Sequence, residues 1–121
     1  MTKNEVKDLL NEYSRACCDA ECIKKRIDVL TSKKLVDNEV SNRIEELVNE
    51  YAKAVLNVDS TLASTLKIIN TLNNTDFDAD VLKKYHIEGL SEKTIAKQLC
   101  LSVDYIRTKR WRAYAKLSKK L

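Results

Sequence analysis

The chain has 121 residues, no Pro and a single Gly, so it offers little material for the tight turns of β-hairpins. Its length fits one domain or two small subdomains, and its composition predicts an all-α fold. No apolar run approaches the roughly 20 residues that span a bilayer, and the first ten residues carry charges where a signal peptide is apolar. The sequence therefore predicts a cytoplasmic protein with no membrane partner.

The net charge of +4 hides an uneven distribution. Residues 1–80 contain 11 Lys and Arg against 15 Asp and Glu, a net charge of −4, whereas residues 81–121 contain 11 against 3, a net charge of +8. A segregated basic region attracts polyanions, and nucleic acid is the commonest polyanion of a cytoplasm. Anionic lipid and an acidic protein surface are the alternatives.

The cysteines are Cys17, Cys18, Cys22 and Cys100, and they form no CxxC pair. Cys18 and Cys22 share a helical face, but no second pair of ligands follows that could complete a zinc site. Cysteines one, four or five residues apart on a helix also have poor geometry for disulfides. We expect reduced cysteines, no metal and no cofactor.

The first predicted helix covers about residues 4–31 on a seven-residue apolar repeat. Four heptads are typical of a coiled coil, and the two repeat positions hold Val6, Tyr13, Ala20 and Ile27, and Leu9, Ala16, Ile23 and Leu30. The polar stretch 31–38 then breaks the repeat. Asp37 or Asn38 is the candidate N-cap of the next helix.

The second predicted helix resumes the repeat near Ile44 and continues to Leu72, with an extra apolar row that suits a helical bundle. One antiparallel hairpin cannot cover so wide a face. We expect a homo-oligomer, with a dimer as the simplest form; a monomer with the hairpin folded back on the C-terminal part is the alternative. The predicted contact residues are Ile23, Ile27, Ile44, Val48, Tyr51, Val55 and Leu62.

The polar, turn-prone residues 73–76 predict a boundary between a long helical hairpin, residues 1–74, and a smaller domain, residues 75–121. In that smaller domain, Asp78 or Asp80 can cap a short helix that ends at Gly89.

Two further helices follow, one over residues 92–99 with Ser91 as its N-cap and one over about 103–119 with Ser102 as its N-cap. They are joined by about three residues, with the small Ala96 where they approach each other and Leu101 in the turn. This spacing is typical of a DNA-binding helix-turn-helix. The sequence thus predicts a three-helix domain of that kind.

Residues 82–117, LKKYHIEGLSEKTIAKQLCLSVDYIRTKRWRAYAKL, resemble the promoter-reading C-terminal domain of bacterial sigma factors. More closely, they are similar to the sigma-like phage and prophage regulators of the ArpU and RinA type, which often carry a helical region ahead of this domain. The resemblance implies a sequence-specific transcriptional regulator, a late-gene activator, with double-stranded DNA as its partner and RNA polymerase as a candidate second partner.

Two residues depart from the motif. Cys100 occupies a turn position where Gly is usual, and we expect it to adopt the turn at some strain. Arg110 lies on the inward side of the last helix, where an aliphatic residue is common. We expect its stem to be packed and its guanidinium solvated.

The groove-facing side of the last helix follows from its buried side. With Ile106, Ala113 and Leu117 buried, a rotation of 100° per residue predicts which side chains face away. It predicts Asp104, Tyr105, Thr108 and Arg112 as base-reading residues. Ser102 and Val103 are added to them because the N-terminus of this helix points toward the bases in a helix-turn-helix. The predicted phosphate contacts are Lys93, Lys97, Arg107, Lys109 and Lys116.

The remaining patterns do not indicate an enzyme. His86 is the only histidine and has no pattern of catalytic partners, so we expect an exposed or packing side chain. For Trp111, packing on the hairpin is favoured over contact with the DNA backbone. Two functions compete with transcriptional regulation, namely a phage small terminase subunit and an adaptor that binds RNA polymerase through the basic domain.

Overall fold

The computed structural model describes residues 1–32, 38–72 and 77–121, which are largely helical and contain no β-strand. The helices are α1 (Lys3–Leu10), α2 (Glu12–Ser32), α3 (Asn38–Ile69), α4 (Asp78–Leu82), α5 (Glu92–Leu99) and α6 (Val103–Lys120), and a π-helical turn, Lys83–Ile87, continues α4. The predicted all-α class is confirmed. Within these ranges, no helix is long and apolar enough to cross a membrane. The candidate cap Asp37 and the predicted boundary 73–76 lie outside the described residues.

The first predicted helix is in fact two helices, separated at Asn11. α1 begins with a capping box, in which the Thr2 hydroxyl accepts a hydrogen bond from the Glu5 N–H at 3.2 Å and the Glu5 carboxylate accepts one from the Thr2 N–H at 3.3 Å. The prediction of one continuous helix is wrong, since the helix is interrupted at Asn11. α1 packs against α6, and a seven-residue repeat within one stretch of sequence does not predict a contact with so distant a helix.

The chain forms two compact units, one of residues 1–14 and 62–121 and the other of residues 15–61. These units differ from the predicted domains, because α1 and the last turns of α3 share a unit with α4, α5 and α6. The larger unit is called the basic unit below, after its C-terminal charge. The smaller one is called the two-helix unit.

The basic unit has two clusters of buried apolar side chains. The larger one contains Val6, Leu10, Ile69, Leu72, Ala79, Leu82, Ala113, Tyr114 and Leu117. The smaller one contains Val81, Ile95, Ala96 and Ile106, and it holds α5 against α6. Complete burial of an aliphatic side chain contributes about 1.5–3 kcal/mol. α6 contributes side chains to both clusters, so both of them hold it in position.

The two-helix unit has a small core, since its buried apolar side chains among the described residues are Ala16, Ala20 and Leu47. Cys22 shares a cleft with Lys53, and Leu30 shares one with Arg43, so α2 and the facing part of α3 run side by side in opposite directions.

The predicted oligomer contacts divide into three groups. Ile23, Ile27, Ile44 and Tyr51 are half-buried within the two-helix unit, whereas Val48 and Val55 are 48% and 36% exposed. Leu62 belongs to the basic unit and is half-buried there. Leu56, which is not one of the predicted contacts, is 69% exposed and so more exposed than either of those two valines.

The N-terminus of α4 is not capped by an aspartate. Phe77 precedes the helix in a left-handed conformation with φ 64°, and its side chain makes no capping hydrogen bond. Asp78 is fully buried as the first residue of α4, and its carboxylate faces two lysines of α6. The prediction that Asp78 or Asp80 caps this helix is therefore wrong. Gly89 follows the π-helical turn with φ 70°, the left-handed conformation expected of it.

Candidate nucleic-acid interface

Two serines determine where α5 and α6 begin. Ser91 Oγ accepts a hydrogen bond from the Thr94 N–H at 3.2 Å, and Ser102 Oγ accepts one from the Tyr105 N–H at 3.1 Å. Both predicted N-caps are confirmed. Such a cap typically contributes about 1 kcal/mol to helix stability.

Cys100 turns the chain between α5 and α6. Its backbone is left-handed, with φ 57° and ψ 42°, and the following Leu101 N–H donates to the Ala96 carbonyl at 2.9 Å. This is the helix ending that Gly normally occupies, so the strain expected at Cys100 follows from its Cβ. The turn brings α5 and α6 together in the cluster around Ala96 and Ile106.

The outward face of α6 begins at its N-terminal end. The predicted base-reading residues Ser102, Asp104, Tyr105, Thr108 and Arg112 are exposed. Val103 differs from the other five, because it is half-buried against the cluster that joins α5 and α6. The face available to a partner is therefore polar.

Three of the predicted phosphate contacts lie in the open. Lys93 and Lys97 are exposed on α5, and Arg107 is exposed on α6. The Arg107 guanidinium also lies 3.4 Å from a Glu92 carboxylate oxygen and 3.7 Å from one of Asp104. An anion that binds Arg107 competes with these carboxylates, whereas Lys93 and Lys97 project from the adjacent helix.

The other two predicted phosphate contacts are both paired with the buried carboxylate of Asp78. Lys109 is 3% exposed, and its Nζ lies 3.7 Å from Asp78 Oδ1. Lys116 pairs with the other oxygen of Asp78 and remains partly exposed. The prediction is wrong for Lys109, because its charge is buried against a carboxylate. The Lys116 charge is partly neutralised by Asp78, which weakens its attraction for a phosphate.

Arg110 is buried as a whole, with 6% of its surface exposed. Its guanidinium lies 4.2 Å from the centre of the Tyr85 ring and 3.6 Å from a Glu92 oxygen, and it donates a hydrogen bond to Tyr114 Oη at 3.4 Å. The expectation of a solvated guanidinium is therefore wrong. Stacking and ion pairing stabilise the buried charge.

His86 and Tyr114 form a buried hydrogen-bonded pair behind this face, with His86 Nε2 2.6 Å from Tyr114 Oη. Burial, together with the positive charges of Arg110 and Lys7, lowers the pKa of His86 to about 4. Burial likewise raises the pKa of Tyr114 to about 12. Both side chains are neutral at neutral pH, and of the two expectations for His86, packing is the one confirmed.

Trp111 packs within the basic unit, as favoured from the sequence. Its ring meets that of Tyr114 edge-on at 5.2 Å, and the Lys7 ammonium of α1 lies 5.6 Å from its centre. The side of α6 that carries Trp111 is thus occupied by α1.

Asp78 and Glu92 pair with the buried cations of α6, a role that the sequence pattern did not predict for them. A signal was present, because Lys109 and Arg110 follow Ile106 by three and four residues and precede Ala113 by four and three. They therefore share the buried side of α6. Two buried cations require counter-charges. Their partners lie 31 and 18 residues away, so spacing alone does not name them.

No family model, curated protein or solved structure matches the chain. The resemblance to sigma-like phage regulators thus remains one of sequence motif. The chemistry available at the interface is that of its exposed residues: a polar face on α6 with cations beside it.

Proposed function

We propose that the chain binds double-stranded DNA through a helix-turn-helix formed by α5 and α6, with α6 in the major groove. The observation that supports this most strongly is the two-sided character of α6. Ile106, Ala113 and Leu117 are fully buried, while Asp104, Thr108 and Arg112 are exposed. Polar side chains on an exposed helix face can pair with the donors and acceptors of base edges.

The cations around this face suit the phosphates on either side of a groove. Lys93, Lys97 and Arg107 are exposed next to it, in a region with a net charge of +8. Phosphate contacts position a protein on the duplex without selecting a sequence. Lys109 takes no part, since its charge is neutralised by Asp78.

The biological role that fits this interface is transcriptional regulation of phage or prophage type in a bacterial cytoplasm, by a non-enzymatic protein. The motif in residues 82–117 supports this role. An adaptor that contacts RNA polymerase alone needs no affinity for DNA, so a DNA titration separates the two functions.

The two-helix unit supplies the contact between copies of the chain. Its large buried apolar side chain is Leu47, and so small a core leaves a helical pair marginal by itself. Val48, Val55 and Leu56 of α3 expose apolar surface that a second copy can cover. Dimerisation would also present two DNA-binding helices, as a two-fold operator requires.

Two classes of substitution are expected to affect DNA binding differently. Arg112→Ala or Tyr105→Ala should weaken the binding free energy for the preferred site by about 1–3 kcal/mol. Binding to random duplex should change little, because base contacts provide the selectivity. Lys93→Ala should weaken binding to both duplexes equally and lower the slope of log K against log salt by about one unit. Fluorescence anisotropy at several salt concentrations, on a site obtained by selection from random duplexes, measures both effects.

Lys53→Ala is the matched control, since Lys53 is exposed on α3 in the other unit. It should bind both duplexes as the wild type does. If Arg112→Ala and Lys93→Ala behave alike on specific and random DNA, α6 does not dock as proposed. If the wild type does not bind DNA at low salt, the adaptor that binds RNA polymerase is the function favoured.

Charged substitutions on the exposed face of α3 should dissociate the oligomer. Val48→Asp combined with Leu56→Asp places two carboxylates where a partner copy must pack, while leaving Leu47 in place. We expect monomer mass in light scattering, with the helical circular dichroism retained. Leu121→Asp, also on an exposed side chain, is the control and should keep the wild-type mass.

The mass of the wild type is informative in the same experiment. A dimer agrees with the regulator, whereas a ring of eight or more subunits would favour a DNA-packaging protein of the small terminase kind. Unchanged mass in the double variant would show that another surface joins the copies.

A further inference from the structure

A cleft of about 350 Å³ lies in the basic unit, away from the outward face of α6. It is lined by Asn11 and Ser14 on one side and by Tyr85, His86, Gly89, Leu90 and Ser91 on the other. Its volume is within the range of small-molecule sites, about 300–1,000 Å³. The first group surrounds the interruption between α1 and α2, and the second leads into α5.

Three departures from regular helix meet at this cleft. The helix is interrupted at Asn11, the π-helical turn Lys83–Ile87 carries Tyr85 and His86, and Gly89 has φ 70°. A Cβ added at Gly89 would meet nothing within 4 Å, so the left-handed backbone and not crowding favours Gly there. π-Helical turns are rare and occur frequently at functional sites.

The polar groups that line the cleft are available to a ligand. Within the described ranges, the Asn11 amide and the hydroxyls of Ser14 and Tyr85 have no hydrogen-bond partner in the protein. Each of them can donate a hydrogen bond.

The His86 side chain adds a fourth donor. We infer that Tyr114 donates its hydroxyl proton to His86 Nε2, since Arg110 already donates to the Tyr114 oxygen. Because the pKa of His86 is about 4, the ring is neutral near pH 7, and in this arrangement its single proton lies on Nδ1. The ring is 3% exposed, so a ligand that accepts this proton meets a donor largely shielded from water.

The electrostatic surroundings favour a negative ligand. No carboxylate lines the cleft among the residues described, and the nearby Glu88 and Glu92 are paired with Lys84 and with Arg107 and Arg110. α5 begins immediately after Ser91, so its positive N-terminal end lies beside the cleft.

We propose that this cleft binds a small oxyanion, a carboxylate or phosphate group, through hydrogen bonds from Asn11, Ser14, Tyr85 and His86. The bound group joins the α1–α2 junction to the segment that leads into α5. It therefore stabilises the basic unit. The site is independent of the proposed DNA contact, because none of these four residues belongs to the outward face of α6.

The test is a titration of the ¹⁵N-labelled full chain, without DNA, with sodium phosphate and separately with sodium acetate at constant ionic strength. We expect saturable shifts of the backbone amides of Asn11, Ser14, Gly89 and Ser91 with at least one anion. The anion with the lower Kd identifies the group that the site prefers. Linear, non-saturating shifts with both anions would overturn the proposal.

The double substitution Ser14→Ala with Tyr85→Phe removes two donors and keeps the ring on which Arg110 stacks. It should raise the Kd by about tenfold or more, since a hydrogen bond to a charged group is worth about 1.5–3 kcal/mol. Ser64→Ala, on an exposed position of α3, is the control and should bind as the wild type does. Equal affinity in the double variant and the wild type would also reject the site.

Discussion

Replacing Asp78 with alanine is expected to lower the free energy of unfolding by about 3–5 kcal/mol. The carboxylate is fully buried between Lys109 and Lys116 of α6. Lys116 is partly exposed and can turn to water after the substitution, whereas the Lys109 side chain is 4% exposed and would remain buried without a counter-charge. Urea denaturation followed by circular dichroism measures the loss, which should also lower the Tm by about 10 °C or more.

Two variants test the cause of this effect. Asp104→Ala removes a carboxylate whose side chain is 95% exposed, and it should change the stability by less than about 0.5 kcal/mol. Asp78→Leu combined with Lys109→Met removes both buried charges, and it should recover most of the lost stability, because apolar residues often replace a buried ion pair without cost. If Asp78→Ala unfolds at the same urea concentration as the wild type, the buried pair does not hold α4 to α6.

The second large effect is expected for Leu10→Ala, at about 2–5 kcal/mol of destabilisation. Leu10 is fully buried in the cluster that also contains Tyr114 and Leu117 of α6. The substitution leaves a cavity that a close-packed cluster fills only in part. Thermal and urea denaturation of the full chain measure the difference.

Leu121→Ala is the matched control for this variant, since it makes the same chemical change on a side chain that is 48% exposed. It should stay within about 0.5 kcal/mol of the wild type. If Leu10→Ala were equally neutral, α1 would not belong to the basic unit, and the predicted boundary between residues 74 and 75 would describe the folding units better.

Several features of the fold follow from the sequence because their causes are local. Ser91 and Ser102 cap their helices through contacts three residues ahead, and Gly89 takes the left-handed conformation that its missing Cβ permits. The outward side of α6 follows from the angle of 100° between successive residues, once Ile106 and Ala113 are known to be buried. The exposed part of the apolar stripe on α3 was harder to predict, since the stripe alone does not tell which residues face the neighbouring helix and which, such as Leu56, stay exposed.

The sequence by itself determined the helical class, the N-caps of α5 and α6, and the polar face of α6, because these depend on residues within one or two turns of each other. The tertiary structure alone decided that α1 packs on α6. It also decided that the buried Lys109 and Arg110 form ion pairs with Asp78 and Glu92. The physical reason is the cost of an unpaired buried charge. A cation can enter a core only where another element supplies its partner, and that meeting depends on how helices distant in the chain pack together.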